Sequence, residues 1–313
     1  MRIMIAIESL KDQKYMVNYH YALQGFIYSL LKDSIYARVH DKQGYKFFCF
    51  SNIYPIGDMC RGDTRYLLIS SPNKGIINHI YNALKQLDEE IRIGYMKFRL
   101  KGCKEFSLNI EHKRSLRLIT ATPVVVRIPR YKYKEYNIRP KRLYDYIYWK
   151  KEYPLSIFLD QLYANILKKY KEYNCNISYV NNNSSNSSNN NGIRRTTADT
   201  YVGEVANVGK GERIKEGIRK VEGCEVKIEE DSKLLSLISD LFKKIIFKKQ
   251  VAIPLNIHEE DTIVIGSVWE FITKDEEEKK EDSNKRNDLL RFIIDCGLGE
   301  RNSLGFGFIN IVD

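Results

Sequence analysis

Two features of the sequence combine residue types and spacing suited to chemistry. Of five histidines, His20, His40, His79, His112 and His258, His40 is the one that falls in a polar loop between a predicted helix and a predicted strand, with lysines close by. An imidazole in that setting titrates near neutral pH and can pass a proton. His79 lies within a predicted helix and His20 at the start of one, where structural roles are commoner. The second feature is the stretch from Gly297 to Phe308, in which the pairs Gly297/Gly299 and Gly305/Gly307 flank Glu300, Arg301, Asn302 and Ser303. Glycine lets backbone approach another surface closely and turn N–H groups outward, so such a loop can cradle phosphate oxygens. A dinucleotide fingerprint, however, needs a third glycine where Asn302 stands, and a P-loop needs Lys then Ser/Thr where this chain has Phe306-Gly307. Both motifs also open a helix, whereas this loop opens a predicted last strand. Taken alone, it reads as a phosphate cradle or as a plain glycine-bearing turn, of which the turn is the commoner.

Other chemistries lose support. No H-E-x-x-H, G-x-S-x-G or carboxylate cluster is present, against zinc hydrolase, serine hydrolase and two-metal nuclease readings. Six cysteines without a C-x-x-C pair argue against a zinc site or a disulfide framework and for reduced thiols in a cytosol. No run approaches the roughly 20 apolar residues of a membrane helix, and Met1 to Ile7 reads as a first strand rather than a signal core.

The chain carries 51 basic and 40 acidic residues, a net charge of +11. The acidic residues are segregated: the runs 88–90, 225–231, 259–261 and 275–282 hold 16 of them with 3 basic residues, leaving 48 basic against 24 acidic elsewhere. The remaining surface is therefore expected to be positive, which suits a polyanionic partner or reflects a lysine-rich composition. Arg130-Tyr131-Lys132-Tyr133-Lys134, continuing through Arg139, Lys141 and Arg142 to Trp149-Lys150-Lys151, interleaves cations with rings. That pattern suits phosphate contact and base stacking, or a solvated basic loop.

The elements that must position these residues follow from periodicity. A strand over 2–9 precedes a helix over about 19–32, with Leu23, Phe26, Ile27, Leu30 and Leu31 on one face and Asn18 as N-cap. Strands over 46–51 and 65–70 follow, then a helix opened by Ser71-Pro72 with Ile76, Ile77, Ile80, Leu84 and Leu87 on one side. A fourth strand over 91–100 closes a βαββαβ unit, ferredoxin-like or RRM-like. The second half repeats that order: a strand over 116–128, a helix carrying Leu155 to Leu167, an extra helix carrying Leu234 to Ile245, strands over 250–257 and 262–272, a helix over 289–295 and the last strand. The Asn- and Ser-rich stretch from 176 to 192 is too polar to bury anything and predicts a disordered insertion. The fold class is α+β, two tandem ferredoxin-like domains, 1–114 and 115–313, with an insertion over about 174–232 in the second.

Three stretches together carry a resemblance: Leu23-Gln24-Gly25-Phe26-Ile27-Tyr28 on the first helix, His40 followed by Gly44-x-Lys46-Phe47-Phe48-x-Phe50-Ser51, and the terminal glycine loop. The sequence resembles the CRISPR-associated repeat-processing endoribonucleases, the Cas-six family of RAMP proteins, from residue 1 to about 128 and again over the final strands. The resemblance implies tandem ferredoxin-like domains and a catalytic tyrosine, histidine and lysine, which fall on Tyr28, His40 and Lys46. It also implies RNA contact by the loop, at Gly297, Gly299, Arg301, Asn302, Ser303, Gly305 and Gly307. The implied activity is metal-independent cleavage of precursor CRISPR RNA within its repeats, in the cytoplasm, with no cofactor. Other CRISPR effector subunits and a second copy of the chain are further candidate partners. The residue types fit the reaction, since RNA supplies its own 2′-OH as nucleophile and the protein need only move two protons and stabilise charge. Tyr28, one residue off the apolar stripe, is placed near the 2′-OH and His40 near the leaving 5′ oxygen, the reverse assignment remaining open. The alternative from another class is a non-catalytic RNA-binding subunit.

Overall fold

The computed structural model describes residues 1–39, 44–87, 90–110, 113, 115–140, 142, 144–185, 228–257, 260–275 and 280–312. Its first half runs β1 (Arg2–Ser9), α1 (His20–Leu31), β2 (Cys49–Phe50), β3 (Thr64–Ser70), α2 (Lys74–Lys85), β4 (Ile91–Ile93) and β5 (Met96–Phe106). These strands form one antiparallel sheet in the order β2-β3-β1-β5-β4. Side chains alternate across a strand, so Ile3, Ile5 and Ile7 turn to one face, where they meet Leu23, Ile27, Leu30 and Leu31 of α1 and Ile76, Ile77, Ile80 and Leu84 of α2 in a single core.

The second half repeats the topology. After β6 (Arg117–Thr120) comes a two-stranded ribbon, β7 (Arg127–Pro129) and β8 (Tyr146–Tyr148), then α3 (Leu155–Ser185), α4 (Ile228–Asp240), β9 (Phe242–Ile257), β10 (Glu260–Thr273), α5 (Lys280–Cys296) and β11 (Ile309–Val312). The sheet order β11-β6-β10-β9 matches β5-β1-β3-β2 of the first half, so the chain is two ferredoxin-like units in tandem. Phe158 of α3 stacks on Trp269 of β10 with ring centroids 4.3 Å apart, at the centre of the second core. The insertion expected at about 174–232 overlaps the end of α3 and the start of α4, and its remainder lies outside the described residues.

Several local expectations are corrected, each for a physical reason. Phe47 adopts a left-handed backbone conformation, φ 52°, which breaks the strand expected over 46–51 and leaves only Cys49–Phe50 paired with β3. The strand expected over 91–100 is a hairpin, turned at Gly94 with φ 61°. Asn18 does not cap α1. The N-cap is Tyr19, without a side-chain hydrogen bond, because Tyr19 and His20 are buried and packing sets the start of the helix. Asn73, not Ser71, caps α2 by accepting from the Gly75 amide at 2.9 Å; Ser71 instead donates to the Phe47 carbonyl at 2.7 Å. The strand expected over 116–128 divides into β6 and β7. The helix carrying Leu234 ends at Asp240, and Phe242 and Ile245 belong to β9, whose pairing with β10 extends from Phe242↔Thr273 to Ile257↔Glu260.

The second unit docks onto the open face of the first sheet at its Arg2 end. Met4, Leu68 and Phe106 meet Ala121 and Phe308 there, with Cys49. Arg2, 1 % exposed, reaches across to donate to the Ile309 and Ile294 carbonyls at 2.6 and 3.0 Å and lies over the Phe308 ring. The N-terminal ammonium pairs with Asp295. This junction brings α1 beneath the glycine loop.

Candidate active site

One flank of α1 faces the loop between α5 and β11. His20, Gln24 and Tyr28 recur every four residues and so lie along one ridge of the helix, His20 buried at the head of the apolar stripe and Gln24 and Tyr28 beside it. The His20 ring is sandwiched between Tyr19 and Phe306, with centroids at 4.7 and 5.0 Å, and its Nδ1 lies 2.8 Å from the Leu304 carbonyl. Gln24 donates to the Ser303 carbonyl and hydroxyl at 2.9 and 3.2 Å. Burial pushes the Tyr28 phenol up to about 12, against the opposing effect of its hydrogen bond with Ser303. One helix of the first unit thus grips Ser303, Leu304 and Phe306 of a loop in the second.

Lys46 enters from the other side. Its Nζ lies 6.0 Å from the centre of the Tyr28 ring and donates to the Val39 carbonyl at 2.7 Å, next in sequence to His40. His40 itself lies outside the described residues. Behind Lys46 the left-handed Phe47 turns its ring into the second core, while Phe48 meets Tyr28 edge-on at 5.9 Å. A non-glycine residue at positive φ is uncommon, and here the turn directs successive side chains to different cores. A cavity of about 80 Å³ lies between the segments, lined by residues 44–48 on one side and Arg301, Asn302 and Ser303 on the other, with Lys169 and Cys296 at its back. The structure therefore brings Tyr28, Lys46, Arg301, Asn302 and Ser303 together.

The glycines have a different setting. Gly297, Gly299, Gly305 and Gly307 are buried, with φ between 67° and 84°, and the close approaches they permit are to the chain itself. A Cβ on Gly305 would stand 2.3 Å from the Phe50 ring, on Gly299 2.4 Å from the Val125 carbonyl, and on Gly307 1.9 Å from the Leu298 carbonyl. The expectation of outward amides is corrected at six positions: Gly297, Leu298, Glu300, Leu304, Gly305 and Gly307 donate internally, to the Ile293, Gly307, Val125, Arg301, Asn302 and Pro123 carbonyls, at 2.8–2.9 Å. Glu300, Arg301, itself left-handed at φ 59°, and Ser303 are the partly exposed members of the polar turn, and Asn302 is buried.

Sequence reasoning missed Lys169. This α3 lysine is 1 % exposed, and its ammonium donates to the Gly297 carbonyl (2.6 Å), the Gly299 carbonyl (3.1 Å) and Asn302 Oδ1 (3.0 Å). Burial lowers its pKa. Asn302 in turn donates to the Leu298 and Phe306 carbonyls at 3.0 and 2.9 Å, so a single buried cation and one amide tie both glycine pairs into a knot. The signal was available: Leu162, Ile166 and Lys169 share one helical face, and a lysine continuing an apolar stripe calls for buried acceptors.

Residues 226–311 match the family described as CRISPR associated protein Cas6, C-terminal. The chain is 30% identical over 312 residues to CRISPR-associated endoribonuclease Cas6 2 of Methanocaldococcus jannaschii, covering 99% of each chain. It is 26% identical to CRISPR-associated endoribonuclease Cas6 of Haloferax mediterranei, covering all of this chain and 94% of that one. Among solved structures it is similar in fold to a Cas6-related protein from Pyrococcus furiosus, with a TM-score of 0.60 at 19% identity over all of this chain and 98% of the other. A RAMP protein described as binding different RNA substrates matches with a TM-score of 0.59 at 18% identity, covering all of both chains. With a relative of such identity aligned along almost the whole length, the chain belongs to the CRISPR-associated endoribonuclease Cas6 family.

Proposed function

We propose that this protein cuts precursor CRISPR RNA within its repeats by a metal-independent reaction at the cleft between Tyr28, Lys46 and the Arg301–Ser303 turn. The observation that carries the reading is that Lys46, from the first unit, and Arg301 and Ser303, from the second, line one cavity, with the Tyr28 ring 6.0 Å from the Lys46 ammonium. The domain division near residue 114, in the connection from β5 to β6, places the cleft where the two units meet.

In this reading the 2′-OH of the nucleotide before the cut loses its proton and attacks the adjacent phosphorus. The phosphorus–5′-oxygen bond breaks and that oxygen takes up a proton, so the products are a 2′,3′-cyclic phosphate and a 5′-OH. Burial favours one assignment of the two transfers. A phenol pushed up to about 12 is a poor base at neutral pH but a competent acid toward an alkoxide. Tyr28 is therefore assigned to the leaving 5′ oxygen and His40 to the 2′-OH, the reverse of the order first taken from the sequence. Lys46 and Arg301 face the charge that grows on the phosphorane oxygens, and Ser303 orients the Tyr28 hydroxyl.

His40→Ala is expected to slow single-turnover cleavage of repeat RNA by about 10²- to 10⁴-fold while RNA affinity stays within about 2-fold, since the group acts on charge that moves in the transition state. A variant that cuts at the rate of the unmodified protein would return the reading to an RNA-binding subunit without catalysis.

A further inference from the structure

The basic, tyrosine-rich insertion between β6 and α3 takes no part in the cleft chemistry, yet its ribbon adjoins the same loop. In the antiparallel register Arg127 pairs with Tyr148 and Pro129 with Tyr146, while Ile128 pairs with Ile147. The two isoleucines share one face, against the second core. Arg127, Tyr146 and Tyr148 share the other. Glu300 joins that face to the glycine loop: its amide donates to the Val125 carbonyl at 2.8 Å, and its carboxylate accepts from the Arg127 side chain and, at 3.2 Å, from the Arg127 amide. The next residue, Arg301, lines the cleft cavity and is close enough to both tyrosines for its charge to act on them. Arg301 is thus the step between the cavity and the tyrosine face.

Tyr146 is built to receive a flat ligand. The Arg127 guanidinium carbon lies 4.5 Å from its ring centre, and Tyr148 meets it at 5.6 Å with planes at 76°. Its side chain is half-buried, so the ring is held in one orientation while part of it reaches solvent. Burial would raise the phenol, but its polar surroundings, with the charges of Arg301 and Arg127 among them, bring it below its ordinary value. Beyond the ribbon, Tyr131 and Tyr144 are exposed, at 73% and 52%, among the exposed cations Arg130, Lys134, Arg139 and Arg142. A restrained ring beside cations, one of which, Arg301, also lines the cleft cavity, has the parts of a single-strand stacking platform.

We propose that the ribbon face of Arg127, Tyr146 and Tyr148 is a subsite for single-stranded RNA flanking the cut, where one nucleobase stacks on Tyr146 and an adjoining phosphate meets Arg301. The proposal rests on the cleavage reading for the identity of the RNA, but the subsite is tested by binding and not by cutting. Tyr146→Leu is expected to weaken binding of single-stranded oligoriboadenylate by about 5- to 150-fold, while Tyr146→Phe, which keeps the ring, stays within about 2-fold. Thermal unfolding of each variant shows that it is folded. In the unmodified protein, 5-iodouridine placed along a repeat RNA is expected to crosslink to a peptide containing Tyr146, which decides the matter even if Tyr146→Leu does not fold. Undiminished oligoriboadenylate binding by folded Tyr146→Leu, or crosslinks that all fall outside residues 127–148, would overturn the subsite. Failure of the unmodified protein to cut repeat RNA would sink the cleavage reading instead and leave the oligoriboadenylate result standing.

Discussion

Tyr28→Phe removes one oxygen from the cleft, and the burial of that oxygen bears on the role proposed for it. With the phenol at about 12, only about one molecule in 10⁵ carries a phenolate at pH 7, so a mechanism that needs Tyr28 as base forfeits that factor before reaction begins. As an acid the same group is fully protonated, and its loss is expected to cost about 10²- to 10⁴-fold in single-turnover rate. A pH–rate profile does not separate the assignments, because neutral imidazole with neutral phenol and imidazolium with phenolate carry the same number of protons. A substrate with sulfur in place of the bridging 5′ oxygen does, since a thiolate leaves without protonation. Tyr28→Phe should cut the 5′-thio substrate within about 10-fold of the unmodified protein, whereas His40→Ala should remain slow on it by about 10²-fold or more. An equal defect of Tyr28→Phe on both substrates, with His40→Ala rescued by sulfur, would refute the assignment and restore Tyr28 to the 2′-OH.

Two further outcomes concern the loop. Lys169→Met keeps most of the side-chain volume but leaves the Gly297 and Gly299 carbonyls and Asn302 Oδ1 without their donor; unpaired buried acceptors cost about 1–3 kcal/mol each, partly offset because a buried ammonium is also removed, so chemical denaturation should report a net loss of about 2–4 kcal/mol. His20 is buried and its pKa lowered by that burial, so the unfolded chain binds a proton on His20 at a higher pH than the folded one does. Stability should therefore be full above the unfolded value near 6.5 and fall as pH drops from there toward the folded value, and His20→Gln should flatten that part of the denaturation midpoint against pH.

The tandem ferredoxin order was legible because it rests on long periodic segments: Leu23 to Leu31, Ile76 to Leu84 and the alternating β1 each turn the residues their spacing singles out to the core, Phe26 at its edge. The misreadings lie where a contact distant in sequence decides a local choice. Phe47 would extend a strand by propensity, but its ring belongs to the second core, and the backbone turns left-handed to place it there. Phe242 and Ile245 fit a helical stripe as well as a strand, and the length of β10 settles the matter. At the site, the close approaches of the glycines were readable from residue type alone. That their neighbours include Phe50, Val125 and the loop's own carbonyls was not, since those neighbours come from other parts of the chain. Lys169 was hidden for the same reason: its acceptors lie about 130 residues away. Tyr28 and Lys46 entered as candidates through resemblance; that His20 and Gln24 share the flank of Tyr28 and grip the same loop needed the structure.

The most direct test of the central claim is cleavage of repeat RNA in EDTA, with and without a single 2′-deoxy substitution at the nucleotide before the cut. The all-ribose RNA is expected to be cut in EDTA to a 2′,3′-cyclic phosphate and a 5′-OH, and the deoxy RNA to be bound but left intact, because the attacking nucleophile has been removed from the substrate itself. Cutting that requires a divalent cation, or that proceeds on the deoxy substrate, would contradict the account.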